Sequence, residues 1–210
     1  HLVRPSDGKD PEKIAWLQCI GSRDINRCDH GYCSSVCCMY AVKEAVIAKE
    51  HAGEELDTAI FYMDMRTYGK DFESYYDRAR EEKGVRFIRS RIHTIMEDNE
   101  SKDLVLRYTD DSGNTIDETY DMVVLSIGLE TPKELVELAD TLDIELNSDN
   151  FAKTDGFSPV KTSRDGIYVC GAFQEPKDIP YSVMEASAAA CWAQSDLFSA
   201  RGALTQTKTY

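Results

Sequence analysis

Five cysteines crowd into one short stretch, Cys19, Cys28, Cys33, Cys37 and Cys38, while Cys170 and Cys191 stand alone. An odd count with an adjacent pair suits a secreted disulfide framework poorly; clustered thiols in a reducing compartment suit metal ligation. Four of the five fit one cuboidal iron–sulfur cluster, in the spacing Cys19-x13-Cys33-x3-Cys37-Cys38. That spacing departs from the ferredoxin run. Cys33 and Cys37, four apart, would share one side of a helical turn. Cys38 would project about 100° further round, and Cys19 must then arrive from a neighbouring strand. A cluster with four thiolates carries a charge of about −2, which a helix N-terminus and the nearby Arg23 and Arg27 would offset. Cys28 is the reserve candidate for the place given to Cys33. A structural zinc drawing on His30 is the rival metal, without the paired C-x2-C knuckles that zinc sites favour. Buried cysteines that ligate nothing are the bland alternative.

The elements that must position these thiols follow from the apolar pattern. Residues 1–13 are polar and turn-rich, and Ile14–Ile20 reads as a buried strand ending at Gly21. After an irregular charged stretch, 34–51 reads as a helix with Met39, Val42 and Val46 on one face and Gly53 as its stop. A strand over 59–64, a helix over 70–83 and a strand over 85–88 come next. Three short strands near 92–96, 104–108 and 116–120 are joined by an Asp110–Asn114 turn, and a buried strand over 121–128 ends in Gly128. Strand, helix, strand, meander and strand together make a nucleotide-binding α/β half. The last third is read as a helix over 132–142, a loop to Pro159, a final strand over 167–171 and a long helix from about Tyr181 to Ala200. This divides the chain into a cluster-binding loop and helix (1–56), the α/β half with its meander (57–130), and a C-terminal part (131–210).

The remaining composition narrows the class. The 210 residues are 42% hydrophobic and 30% charged, ordinary for a globular protein, with a net charge of −14. That charge argues against nonspecific nucleic-acid binding and against docking to an anionic membrane. No apolar run approaches the roughly 18 residues needed to span a bilayer. The opening His1-Leu2-Val3-Arg4-Pro5 lacks a Met, a signal core or a transit pattern, and reads as a cut through a longer polypeptide.

A second stretch, Thr162-Ser163-Arg164-Asp165-Gly166-Ile167-Tyr168-Val169-Cys170-Gly171-Ala172-Phe173, runs from a turn through a short apolar segment to a glycine opening onto a helix. Such a glycine permits close approach of backbone to a ligand, and N–H groups around 178–183 could donate to a carbonyl-bearing ring. A plain strand–loop–helix in an α/β core is the equal alternative.

Together, Val3–Lys9, Gln18–Asp24, Tyr32–Met39 and Cys170–Pro180 resemble the heterodisulfide reductase A-type subunits, a flavoprotein family related to thioredoxin reductase. The resemblance implies the C-terminal part of a two-dinucleotide-binding-domain, FAD/NAD(P)-binding α/β flavoprotein with a cysteine-rich cluster loop. It implies a [4Fe–4S] cluster on Cys19, Cys33, Cys37 and Cys38, and a noncovalent FAD against Gly171, Ala172, Phe173, Lys177, Asp178 and Ile179. Gly128 matches the strand end where such enzymes cross between domains. Lys177, placed near the isoalloxazine, would stabilise a reduced anionic flavin and act catalytically. The implied activity is cytoplasmic electron transfer, with flavin-based bifurcation, among other subunits of the complex and ferredoxin or hydrogenase-type carriers. The chain departs from the pattern in two places. Ala172 stands where many flavoproteins have Asp, and no G-x-G-x-x-G occurs, so the unit binding the ADP part of FAD is expected upstream or on another chain. The alternatives are a pyridine-nucleotide-dependent disulfide reductase and a non-catalytic scaffold with a structural metal site.

Overall fold

A computed structural model describes residues 2–200, apart from the side chain of Ser199. The chain forms two compact units, His1–Gly128 and Leu129–Tyr210.

In the first unit, β1 (Lys13–Leu17), α1 (Cys37–Ala52), β2 (Asp57–Phe61), α2 (Phe72–Glu81) and β3 (Arg86–Ile88) alternate as strand and helix. A meander follows: β4 (Thr94–Glu97), β5 (Leu104–Thr109) and β6 (Thr115–Tyr120). The chain then returns as β7 (Met122–Leu125). The main sheet has the order β3-β2-β1-β7, with every pairing parallel; the meander is an antiparallel sheet, β4-β5-β6. A boundary at residue 56 would fall between β1 and β2, which are neighbours in one sheet.

The apolar run in β1 is continuous because both of its faces are covered. Ile14 and Trp16 pack with Val42, Ala45 and Val46 of α1, and with Ile60 and Val85. Ala15 and Leu17, pointing the other way, pack with Phe61, Leu106, Tyr108 and Tyr120. Period-two alternation thus splits one strand between a helix layer and the meander. Phe61 meets Tyr108 and Tyr120 edge-to-face, with centroids 5.0 and 6.0 Å apart. Beneath them Glu118 accepts from the Tyr108 hydroxyl at 2.9 Å and pairs with Lys13 and Arg86, both at 2.8 Å. These partners outweigh burial and hold the Glu118 carboxyl down at about 2.

Among the described residues of the second unit, α3 (Lys133–Leu142) and α4 (Ile179–Leu197) are the α-helices. The expected strand over 167–171 does not form. A single bridge joins Lys161 to Tyr168, the Val169 N–H donates to the Val160 carbonyl at 2.9 Å, and Gly171–Phe173 is a 3-10 turn. A short apolar run reads as a strand, yet it becomes one only where a partner edge is present to take its N–H and C=O groups. Asp178 caps α4, its carboxylate accepting from the Tyr181 N–H at 2.9 Å, with Pro180 in the first turn. Among the described residues no helix is long and apolar enough to cross a membrane.

Candidate functional site

In a parallel sheet of order β3-β2-β1-β7 the direction of winding reverses between β1 and β7. The crevice beyond the C-terminal ends of those strands is where such folds place ligands. The cysteines converge on that edge. Leaving β1 at Leu17, the chain turns at Cys19, which holds a left-handed φ of 59°. The Ile20 N–H then donates to the Ser126 carbonyl beyond β7, at 3.1 Å. The loop returns to start α1 at Cys37. The two strand exits run so close that a Cβ on Gly21 would lie 2.6 Å from the Ile127 carbonyl oxygen, and one on Gly128 would lie 2.2 Å from Ser34 Oγ. Cys19, Arg23, Asp29 and Ser35 are four of the eight non-glycine residues with positive φ among those described. Each left-handed residue costs roughly 1–2 kcal/mol, and such concentrations mark functional loops.

Four thiols act on one another here. Burial first, then the charges of Cys19 and Cys33, push the Cys37 thiol up to about 11. Burial raises Cys38 to about 11 as well, with Cys19, Cys33 and Cys37 adding to it. Cys19 is raised by burial, and by Cys33, against the opposing pull of Arg23. Thiols so placed become thiolates only with a positive charge among them. Donors also surround the sulfurs. The Ser35 N–H reaches Cys33 Sγ at 3.3 Å, and the N–H groups of Cys37 and Gly128 serve Cys37. Val36 caps α1 without a side-chain bond and no acid sits in the first turn, leaving a positive helix end at the thiols.

Two guanidiniums complete the surround. Arg23 Nη1 stands 4.0 Å from Cys19 Sγ, and Arg66 lies near enough to Cys33 for the thiol to act on its charge. Asp64, just past β2, holds both: Arg23 pairs with Oδ1, and Arg66 reaches Oδ2 through Nε and Nη2, each at 3.3 Å. This donor set could hold a cationic core: thiols inside N–H and guanidinium groups that would temper the anionic whole. Among the described residues no three His, Cys, Asp or Glu side chains converge on the point a lone ion would occupy. Bonds of 2.3 Å would draw the sulfurs of a zinc site to within about 4 Å of one another.

The placement of individual residues differs from the sequence expectation in three ways. Cys33 lies before α1, not on it, because Ser35 breaks the helix with a φ of 66°; a shared helical turn is therefore not what brings Cys33 to Cys37. Cys28 donates its thiol hydrogen to the Asp24 carbonyl at 3.0 Å and is not among the main charges acting on the other thiols. Arg27 is exposed, and the second guanidinium is Arg66. Sequence reading missed Asp64 and Arg66. The available signal was an acid and a base directly after a parallel strand, at the edge where the other strand exits also lie. His30 packs on Tyr32 and meets the Gly21 carbonyl through Nδ1 at 3.1 Å.

In the second unit, Lys177 does not stand free to face a ring. It is buried, paired with Glu185 of α4, and donates to Gln174 Oε1 at 2.5 Å. Glu185, the buried residue of α4, also accepts the Gly171 N–H at 2.9 Å. An ammonium spent on an internal carboxylate sends little net charge outward. Gly171 has a φ of +70° and is buried, Ala172 and Ile179 are exposed, and Phe173 and Asp178 are half-buried. Gly128 belongs to the first unit and stands at the thiols.

The chain belongs to the pyridine nucleotide-disulphide oxidoreductase family, which it matches over residues 37–190. The match begins at Cys37, so the loop carrying Cys19 and Cys33 lies outside it. Within that family of FAD/NAD(P)-binding folds the chain is similar to the A-type subunits of heterodisulfide reductases. It is 45% identical over 93% of its length to the second A-type iron-sulfur subunit of the CoB–CoM heterodisulfide reductase of Methanopyrus kandleri, covering 30% of that protein. It is 45% identical over 90% of its length to the corresponding iron-sulfur subunit of Methanocaldococcus jannaschii, covering 29%. A third relative, 37% identical over 90% of the chain and covered to 24%, is the A-type subunit of the ferredoxin:CoB-CoM heterodisulfide reductase of Methanosarcina acetivorans. The chain thus spans less than a third of the length of these relatives.

Proposed function

We propose that this chain is an electron-transfer segment of a heterodisulfide-reductase-type flavoprotein, in which Cys19, Cys33, Cys37 and Cys38 hold a [4Fe–4S] cluster. The observation that carries the reading is the convergence of four thiols, from three segments, on the switch point of a parallel sheet, inside a surround of N–H and guanidinium donors. The relatives' names support it, two of them being iron-sulfur subunits.

The groups supply electron chemistry when bound: a flavin takes a pair, and a cluster passes one electron at a time. What this chain's residues do is hold and tune. Gly128 lets the β7 exit lie against Ser34 and turns its N–H on Cys37. In the second unit Gly171, Ala172, Phe173, Asp178 and Ile179 form the flavin-facing loop, and Lys177 serves it by locking Glu185 under Gly171. The ADP part of FAD requires a glycine-rich turn that this sequence does not contain. Partners are further subunits of the complex and ferredoxin or hydrogenase-type carriers, in the cytoplasm, with flavin-based bifurcation as the activity of the whole assembly; the ferredoxin-linked relative agrees with this.

A disulfide reductase working through Cys37 and Cys38 fits less well. Both thiols are pushed up to about 11, whereas a nucleophilic cysteine has its pKa lowered. Iron and acid-labile sulfide after anaerobic purification test the proposal: about four of each per chain is the expected result, and one zinc overturns it. Dithionite reduction followed by EPR then separates a relay, which accepts an electron, from a structural cluster, which does not.

A further inference from the structure

Asp64 contributes no ligand and lies outside every motif of the sequence, yet it is the one group joining the two cations at the thiols. Arg23 pairs with its Oδ1, and Arg66 reaches its Oδ2 twice at 3.3 Å. Of the same two guanidiniums, Arg23 stands 4.0 Å from Cys19 Sγ and Arg66 lies within electrostatic reach of Cys33. Two like charges this close repel, and each side chain is long enough to swing to water. A carboxylate between them removes the repulsion and fixes where they point. Resting on the cluster assignment above, we infer that Asp64 is a positioning residue that raises the cluster's reduction potential by holding Arg23 and Arg66 against the Cys19 and Cys33 sulfurs. A reduced cluster carries one more negative charge than an oxidised one, so cations fixed at its sulfurs favour the reduced form.

This role and a simple charge effect predict opposite signs. Asp64 is itself an anion, so removing it with its surroundings unchanged raises the potential. If it instead holds the cations in place, removing it lets them leave and the potential falls. The test is an EPR-monitored redox titration of the complete complex carrying this chain, with iron and sulfide counted first. A wild-type complex without cluster iron overturns both this inference and the assignment beneath it. With the cluster present, Asp64→Asn is expected to shift the midpoint negative, in the same direction as Arg23→Gln or Arg66→Gln alone. A positive or absent shift overturns the inference and leaves the cluster assignment standing. In the Arg23→Gln/Arg66→Gln background, adding Asp64→Asn is expected to reverse sign and raise the midpoint; a further fall overturns the role. If Asp64→Asn prevents cluster assembly, Asp64→Glu keeps the charge and moves the carboxylate. It is expected to shift the midpoint negative, and an unchanged midpoint overturns the inference.

Discussion

The cysteine edge of the first unit and the Gly171 loop of the second are both built where a strand-like segment meets a helix start, and their polar groups are treated in opposite ways. At the cysteine edge, burial and neighbouring thiols raise the pKa of Cys19, Cys37 and Cys38, several residues hold left-handed conformations, and α1 begins without a side-chain cap. At the Gly171 loop Lys177, Glu185, Gln174 and the Gly171 N–H satisfy one another, and Asp178 caps α4. Groups left in mutual conflict define a place that needs a counter-charge from outside the chain. Groups closed on themselves define a scaffold, which presents backbone and shape to whatever docks there. The unsatisfied groups thus lie in the first unit, and the mutually satisfied ones in the second.

Four experiments break or sharpen that contrast. The largest effect is expected from Cys37→Ser, which should take iron from about four per chain to nearly none, while Cys28→Ser leaves it unchanged; iron loss in both would return Cys28 to the ligand set. Next, Lys177→Ala leaves the Glu185 carboxylate buried without its counter-charge, and should cost about 3–5 kcal/mol in a denaturant or thermal melt. Adding Glu185→Gln should recover most of that loss. A neutral Lys177→Ala would mean the second unit is not closed on this pair.

Glycine replacements compare the two units directly. Gly128→Ala drives a Cβ into Ser34 at a φ of +84° and should cost about 2–3 kcal/mol and lower iron content. Gly166→Ala, at +81° with open space around it, should cost about 1 kcal/mol and leave iron alone. Equal losses would remove the distinction. The last effect, felt only at low pH, concerns Glu118, whose folded-state pKa of about 2 lies below the ordinary 4.5. Its contribution to stability is whole above about pH 4.5 and is lost as the pH falls toward about 2. With its 17% exposed side chain discounted for screening, this amounts to about 2 kcal/mol. Glu118→Gln should flatten the acid-unfolding curve in that window with no effect on iron; an unchanged curve would show that the network beneath Phe61 is not worth its charges.

Much of this was legible from local pattern. The continuous apolar run at Ile14–Leu17, the helix over most of 34–51 and the meander turn at Asp110–Asn114 depend on residue type, side-chain period and turn chemistry, which a chain carries within itself. The expected strand at 167–171 failed because pairing needs a second edge, and no local pattern records whether one is there. Cys33 illustrates the same limit. Its spacing from Cys37 suggested a helical turn, but the left-handed Ser35 breaks the helix and a loop delivers the thiol instead.

The sequence by itself determined that this chain carries clustered thiols suited to a metal group, a parallel α/β half and a family resemblance, because residue type, spacing and periodicity are properties of neighbours along the chain. Only the tertiary structure decided which thiols meet, that Cys28 turns to Asp24, that Asp64 and Arg66 join Arg23 at the sulfurs, and that Lys177 spends its charge inside. Those are distances between residues up to tens of positions apart, set by which strands end at the same edge, and charge acts through distance in space.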